Sequence, residues 1–159
     1  MTSSADYKDL ESRYYMQVAN RMPPVLVRGE GTRVFDNDDN SYLDFTAGWA
    51  VNNIGHAHPV IAEAIAKQAS TLLQTSNQFY TIPQLELAEV LVENSCLDRV
   101  FFANSGAEAN EGAIKLARKW GKKHKNGAFQ IITFDHSFHG RTLATMSASG
   151  KAGWDTIFA

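Results

Sequence analysis

The amino-acid sequence predicts an α/β fold built around a parallel sheet. The first observation is the order of its patterns: an apolar run at 99–103 (RVFFA) precedes a helical pattern, and a second apolar run follows at 129–134 (FQIITF). This strand–helix–strand order is typical of a βαβ unit, whose two strands are parallel. The second observation is that a short polar loop follows each run, at 104–107 and at 135–141. Since ligands bind at the carboxyl ends of parallel strands, these two loops are the first candidates for chemistry.

Before this unit, the sequence predicts an N-terminal arm and a β-hairpin. Residues 1–22 have some helical character, and Pro23 and Pro24 end any helix there. Two short runs of β type, at 33–36 and 41–45, flank the turn-forming sequence Asn-Asp-Asp-Asn, which predicts the hairpin. An irregular stretch follows, marked by Gly48, Asn52, Asn53 and Gly55.

Three helices are predicted in the remainder of the chain, and two of them open at a proline. Pro59 and Pro83 suit the first turn of a helix, where the missing N–H would have no partner in any case. A polar and aromatic loop at 74–81 separates these two helices. The third helix spans about 107–123, where apolar residues recur with the helical period. Glu108 and Glu111 lie in its early turns and Lys119, Lys122 and Lys123 in its last, which matches the helix dipole.

Composition and charge exclude several classes of protein. The chain has 159 residues, of which 44% are hydrophobic and 20% charged, an ordinary balance that can bury one sizeable core. The net charge of −2 favours neither nucleic acid nor an anionic membrane as a partner. The single cysteine, Cys96, excludes an internal disulfide framework, and the polar N-terminus lacks the pattern of a targeting segment. We therefore expect a cytoplasmic protein.

The loop at 104–107 lies between a predicted strand and the start of a helix. A helix start carries unpaired N–H groups and a partial positive charge, both of which suit a phosphate. Gly106 lets the backbone approach a ligand closely, Ser105 offers a hydroxyl, and Ala107 offers an N–H without bulk. Neither a Walker loop nor a GxGxxG fingerprint is present. Two interpretations therefore stay open: an anion site, or a helix capped by Ser105 with Gly106 in the tight turn.

The loop at 135–141 carries an aromatic and a cationic side chain. Arg141 has the planar guanidinium that pairs with a carboxylate through two hydrogen bonds. Phe138, at the end of a predicted strand, could stack on a flat ring. Each also has a plainer interpretation, since a phenylalanine often fills core and an arginine is often a surface charge.

The histidines raise the alternative of a metal-dependent hydrolase. They form one HxH pair and one HxxH pair, made by His56, His58, His136 and His139. No HExxH, CxxC or EF-hand spacing supports a metal site. Histidines in such loops more commonly form hydrogen bonds, so the sequence predicts no metal.

Three stretches together make the sequence similar to a known family. They are 24–59, 101–121 (FFANSGAEANEGAIKLARKWG) and 134–142 (FDHSFHGRT). On these residues the chain resembles the class III aminotransferases, which bind pyridoxal phosphate (PLP) and share the fold type I architecture. Within the family it most resembles the branch that acts on N-acetylornithine. The pair of loops SGAEAN and SFHGRT at this separation is highly specific.

The resemblance implies the domain organisation and the length of the fold. It makes 1–58 an arm and hairpin segment of the small domain, and 59–159 the first part of the large PLP-binding domain. Members of the family are more than twice as long, so the resemblance implies an N-terminal fragment. The apolar sequence at 154–159 then fits a fold that continues.

The resemblance also implies a role for each residue singled out above. Gly106 and Ala107 match the backbone donors to the PLP phosphate, and Ser105 precedes them in the same turn. Phe138 matches the aromatic residue that stacks on the pyridine ring. Arg141 matches the arginine that holds the substrate carboxylate.

The chemistry implied is transamination through PLP, with a lysine that forms a Schiff base and moves a proton. None of the eight lysines of the chain matches the family's Schiff-base lysine, so we assign no catalytic residue here and expect the chain alone to be inactive. The expected amino donor is N-acetylornithine or a related ω-amino acid, the acceptor is 2-oxoglutarate, and the pathway is arginine biosynthesis.

Other members of the family share these loops, so ornithine, succinylornithine and 4-aminobutyrate remain alternative donors. A non-enzymatic scaffold is a further alternative, because the lysine is missing. A homodimer is expected for the full-length protein, with the loop at 74–81 near its interface.

Overall fold

The computed structural model describes residues 3–154. The chain forms two compact units, residues 1–79 and residues 80–159. The boundary expected between the family's small and large domains, after residue 58, stays a prediction. Most of the apolar sequence at 154–159 lies outside the described residues.

The first unit contains a three-stranded antiparallel sheet in the order β1 (Leu26–Glu30), β2 (Arg33–Asp36), β3 (Ser41–Leu43). The predicted hairpin is confirmed as β2 and β3. Its turn is held by the buried carboxylate of Asp36. Asp36 accepts hydrogen bonds from the backbone N–H groups of Asp38 and Asn40 and from the Tyr42 hydroxyl.

Three helices accompany this sheet within the first unit. They are α1 (Ser4–Tyr14), α2 (Ala47–Ala50) and α3 (Pro59–Thr71). The predicted helical character of the arm is confirmed by α1, whose first turn is closed by reciprocal hydrogen bonds between Ser3 and Asp6. Pro59 opens α3 as predicted.

The stretch between β3 and α3 is irregular, as predicted. All four residues of α2 have positive φ angles, so this single turn is left-handed. Asp44 fixes the turn by accepting hydrogen bonds from the backbone N–H groups of Thr46 and Ala47. Its other oxygen lies 2.7 Å from Nε2 of His56. The two contacts tie both ends of the stretch to one carboxylate, and they hold the pKa of Asp44 below its usual value.

The second unit contains α4 (Ile82–Glu93), α5 (Gly106–His124) and α6 (Leu143–Ala148). The first two confirm the predicted helices that begin near Pro83 and Ala107. The sequence analysis did not predict α6. This helix has only six residues and packs against α5.

The two apolar runs of the second unit are not strands, which corrects the prediction of a paired βαβ unit. Neither 99–103 nor 129–134 has a ladder partner among the described residues, and only an isolated parallel bridge joins Asp135 to Gly150. A run becomes a strand only when a neighbouring segment bonds its N–H and C=O groups. The side chains of these runs also lack packing neighbours among the described residues, since Phe101 is 74% exposed and Ile132 is 91% exposed.

Candidate active site

The first turn of α5 has a side-chain cap and a free backbone edge. Ser105 lies in extended backbone, and its Oγ accepts a hydrogen bond from the N–H of Glu108 at 3.2 Å. The Glu108 carboxylate in turn accepts from the N–H of Asn104 at 2.7 Å. The interpretation of Ser105 as a helix cap is therefore confirmed.

The cap leaves the N–H groups of Gly106 and Ala107 without a hydrogen-bond partner within residues 3–154. The space in front of Gly106 is open, because a Cβ added there would meet no atom within 4 Å. Packing among the described residues therefore does not explain the glycine. The open edge leaves room for an anion at the positive end of a helix of 19 residues.

The second loop brings its ring and its guanidinium to the same place. Phe138 is 65% exposed, and its only ring contact among the described residues is an edge-on approach to Trp154, with ring centroids 6.4 Å apart. Arg141 is also exposed and forms no ion pair within the described part of the chain. Both side chains therefore have exposed surface that could contact a ligand.

A cavity of about 440 Å³ joins the two loops. Four of the five residues singled out in the sequence line it: Gly106, Ala107, Phe138 and Arg141. Ser105 does not line the cavity, because its hydroxyl points back to cap the helix. No lysine is among the residues of the described part of the chain that line it.

Three further residues line the cavity: Asn110 and Gly140, which the sequence did not single out, and His139, which it offered only as a candidate metal ligand. The amide Nδ2 of Asn110 donates a hydrogen bond to the backbone carbonyl of His139 at 2.7 Å. Asn110 lies one turn beyond the start of α5, so its position on the helix was a signal that could have been used. The backbone role of His139 has no comparable signal in the sequence.

The histidines do not form a metal site within residues 3–154. No three His, Cys, Asp or Glu side chains come together there as ligands. His56 pairs with Asp44, and His139 takes part in the loop through its backbone. Of these contacts, the one between His56 and Asp44 is made by the imidazole ring.

Comparison with known proteins identifies the family of this chain. The chain belongs to the aminotransferase class-III family, which matches residues 14–159. Members of this family are PLP-dependent transaminases. In the described part of the chain, no helix is both long enough and apolar enough to cross a membrane.

Individual relatives agree with this family. The chain is 59% identical over 157 residues to an acetylornithine aminotransferase of Ralstonia nicotianae, covering 96% of this chain and 39% of that protein. It is 56% identical over 158 residues to the acetylornithine aminotransferase of Methanocaldococcus jannaschii, covering 98% and 39%. The chain thus spans about two fifths of the length of these relatives.

Solved structures share the fold. An ornithine aminotransferase from Toxoplasma gondii, with partial occupancy of PLP at its active site, is 30% identical with a TM-score of 0.89, covering 99% of this chain and 38% of that one. The acetylornithine aminotransferase of Elizabethkingia anophelis is 39% identical with a TM-score of 0.75, covering 80% and 33%. The predicted fold class, a partial PLP-dependent aminotransferase of α/β type, is therefore confirmed.

The residues around the cavity fit PLP, the group that the family implies. The N–H groups of Gly106 and Ala107 have no hydrogen-bond partner among the described residues, and the space in front of Gly106 is open, which suits a phosphate. The exposed ring of Phe138 suits an aromatic face. An anion-binding edge and an aromatic surface in one cavity match the two ends of this molecule.

Proposed function

We propose that this chain contributes the phosphate, ring and carboxylate contacts of an acetylornithine-type aminotransferase. The observation that carries the proposal is the single cavity lined by the first turn of α5, Phe138 and Arg141. A phosphate, a planar ring and a carboxylate are the three groups that these side chains and N–H donors would recognise. PLP with an amino acid bound to it presents all three.

The first turn of α5 holds the phosphate in this proposal. The N–H groups of Gly106 and Ala107 donate to its oxygens, and the helix dipole adds a favourable interaction. Ser105 supports them indirectly, since its cap keeps the first turn in place. Phe138 orients the pyridine ring by stacking, and PLP itself supplies an electron sink.

Arg141 holds the carboxylate of the amino acid. Its guanidinium has no ion pair to break among the described residues, and it shares the cavity with Phe138. Two parallel hydrogen bonds to a carboxylate would fix the orientation of the substrate as well as bind it. The four candidate donors share a carboxylate and a terminal amine. They differ in the group on the carbon next to the carboxylate, which Arg141 does not bind in this proposal.

The names of the relatives support a particular donor. Those described above at 59% and 56% identity are acetylornithine aminotransferases, so we propose N-acetylornithine as donor, 2-oxoglutarate as acceptor and arginine biosynthesis as the pathway. Ornithine, succinylornithine and 4-aminobutyrate are the alternative donors. We further propose a cytoplasmic homodimer, with 1–58 in a small domain and 59–159 in a large one.

A panel of donors tests this proposal. The full-length enzyme that carries this segment is assayed with PLP, 2-oxoglutarate and each of the four amines. The expected result is the highest kcat/KM with N-acetylornithine, accompanied by formation of glutamate. A higher kcat/KM with another donor would move the assignment to that donor, and the absence of glutamate with all four would contradict the proposal.

A further inference from the structure

We propose that Asn110, Thr145 and Ser149 are positioning residues that set Phe138 and Arg141 in place. The inference rests on the function proposed above. None of the three has a role in the contacts assigned so far. Each of them bonds to the backbone beside Phe138 or beside Arg141.

The first two contacts fix the residue after Phe138. The N–H of His139 donates to Oγ of Ser149 at 2.9 Å, and its carbonyl accepts from Nδ2 of Asn110 at 2.7 Å. The Ser149 hydroxyl is oriented for this, because its own proton goes to the carbonyl of Thr145 at 2.9 Å. Both backbone polar groups of His139 are therefore held by side chains from outside the loop.

The third contact fixes the residue after Arg141. The N–H of Thr142 donates to Oγ1 of Thr145 at 3.1 Å, and Thr145 is fully buried. Burial matters because water cannot replace this hydrogen bond without opening the loop. Arg141 thus lies in a short segment whose backbone is bonded on both sides.

Gly140 shows how closely this segment lies on α5. Its φ of 135° is in the region that favours glycine. A Cβ added there would lie 2.6 Å from Oγ1 of Thr145 and 2.7 Å from Cβ of Ala107. The backbone between the two fixed points therefore rests directly on the first turn of α5, where the phosphate is proposed to bind.

The positions of the Phe138 and Arg141 side chains depend on the backbone of this segment. Phe138 is largely exposed and Arg141 has no ion pair among the described residues, so neither is held firmly by its own packing. Small displacements of a binding group can have large effects on the reaction. Loss of a positioning contact should therefore displace Phe138 and Arg141, although neither residue is itself substituted.

Limited digestion by trypsin tests the positioning of this segment directly, because trypsin cleaves the peptide bond after Arg141. The rate of cleavage there is compared with the rate after Arg33 in the full-length protein that carries this segment. The expected result is a rise of about tenfold in Asn110→Ala and in Ser149→Ala, since local opening exposes the bond. The matched control is Ser147→Ala, whose hydroxyl has one hydrogen bond among the described residues, to the carbonyl of Leu143 within α6. Equal rates in these variants and in Ser147→Ala would overturn the proposal.

A second readout uses the full-length holoenzyme. We expect Ser149→Ala to raise the KM for the amino acid about tenfold, with a smaller change in kcat, and to shift the absorbance of bound PLP. The variant Ser149→Thr keeps the hydroxyl and should restore both values, whereas Ser147→Ala should change neither. An unchanged KM and absorbance in Ser149→Ala would overturn the proposal. If the full-length protein binds no PLP, the proposed function fails, but the trypsin comparison still decides the positioning role.

Discussion

At the scale of single residues, Arg141 has the most direct role in the proposal, because its guanidinium shares a cavity with Phe138 and forms no ion pair among the described residues. Arg141→Ala in the full-length enzyme should raise the KM for the amino acid by about 10- to 100-fold, the loss expected for hydrogen bonds to a charged group. The absorbance of bound PLP should stay normal. Steady-state kinetics give the first value and a spectrum the second. An unchanged KM beside a normal spectrum would count against the carboxylate role.

Asp36 makes a prediction about pH. Hydrogen bonds from Tyr42, Asn40 and Asp38 favour its carboxylate, and they lower its pKa to about 2 from the usual value of 3.8. Because the pKa is lowered on folding, the stability it contributes is complete above about pH 4 and is lost as the pH falls towards 2.

An NMR titration of the Asp38 and Asn40 amide protons checks this, since both donate to the Asp36 carboxylate. Their shifts should change with a midpoint near pH 2, and Asp36→Asn should remove the transition. A midpoint near 3.8, the ordinary value for an aspartate, would contradict the account.

At the scale of elements, α5 is constrained at its C-terminal end as well as its first turn. Gly121 is buried, and a Cβ added there would overlap the backbone carbonyl oxygen of Ala128. Gly121→Ala should lower the free energy of unfolding by about 1–3 kcal/mol, because overpacking outweighs the gain of about 1 kcal/mol in helix propensity.

Urea unfolding followed by circular dichroism measures the effect of Gly121→Ala on stability. Gly106→Ala is the matched control, since its added Cβ meets open space, and its free energy of unfolding should change by less than about 1 kcal/mol. A stability for Gly121→Ala equal to that of the control would show that the loop at 128 moves aside.

The elements also show how far the sequence could predict the fold. Helices α3, α4 and α5 were predictable because a proline or a cap marks each start and the period of 3.6 runs through each. The six residues of α6 have no charged residue and no such length, so nothing in their pattern distinguished them from a loop. The runs 99–103 and 129–134 have the composition of strands, but pairing depends on a neighbour that no local pattern can supply.

The residues of the candidate site could also be predicted only in part, because local patterns indicate some of them and tertiary packing fixes the others. Gly106, Phe138 and Arg141 belong to loops whose chemistry is local, and they line one cavity as expected. Ser149 and Asn110 act on the loop through backbone groups of His139, 10 and 29 residues away along the chain. Such contacts are fixed by tertiary packing, so no spacing in the sequence indicates them.

At the scale of the whole molecule, the chain covers about two fifths of the length of its relatives, and no lysine within residues 3–154 lines the cavity. The 159-residue chain with PLP, N-acetylornithine and 2-oxoglutarate should therefore form no glutamate above a blank without protein. The full-length enzyme assayed in parallel is the positive control. Turnover by the chain alone would contradict the expectation that none of its eight lysines serves as the Schiff-base lysine.

Two substitutions of Gly106 test the proposal that the first turn of α5 binds the phosphate of PLP. Gly106→Asp places a carboxylate in the open edge, while Gly106→Asn places a neutral side chain of the same size there. An acidic residue is favourable in the first turn of a helix, so the charged variant should not lose stability relative to the neutral one.

The decisive measurement is the Kd for PLP of both variants of the full-length enzyme, followed by absorbance. We expect Gly106→Asp to bind PLP at least about tenfold more weakly than Gly106→Asn, because its carboxylate repels the phosphate. Equal Kd values for the two variants and the unchanged enzyme would contradict the proposal that this turn binds the phosphate.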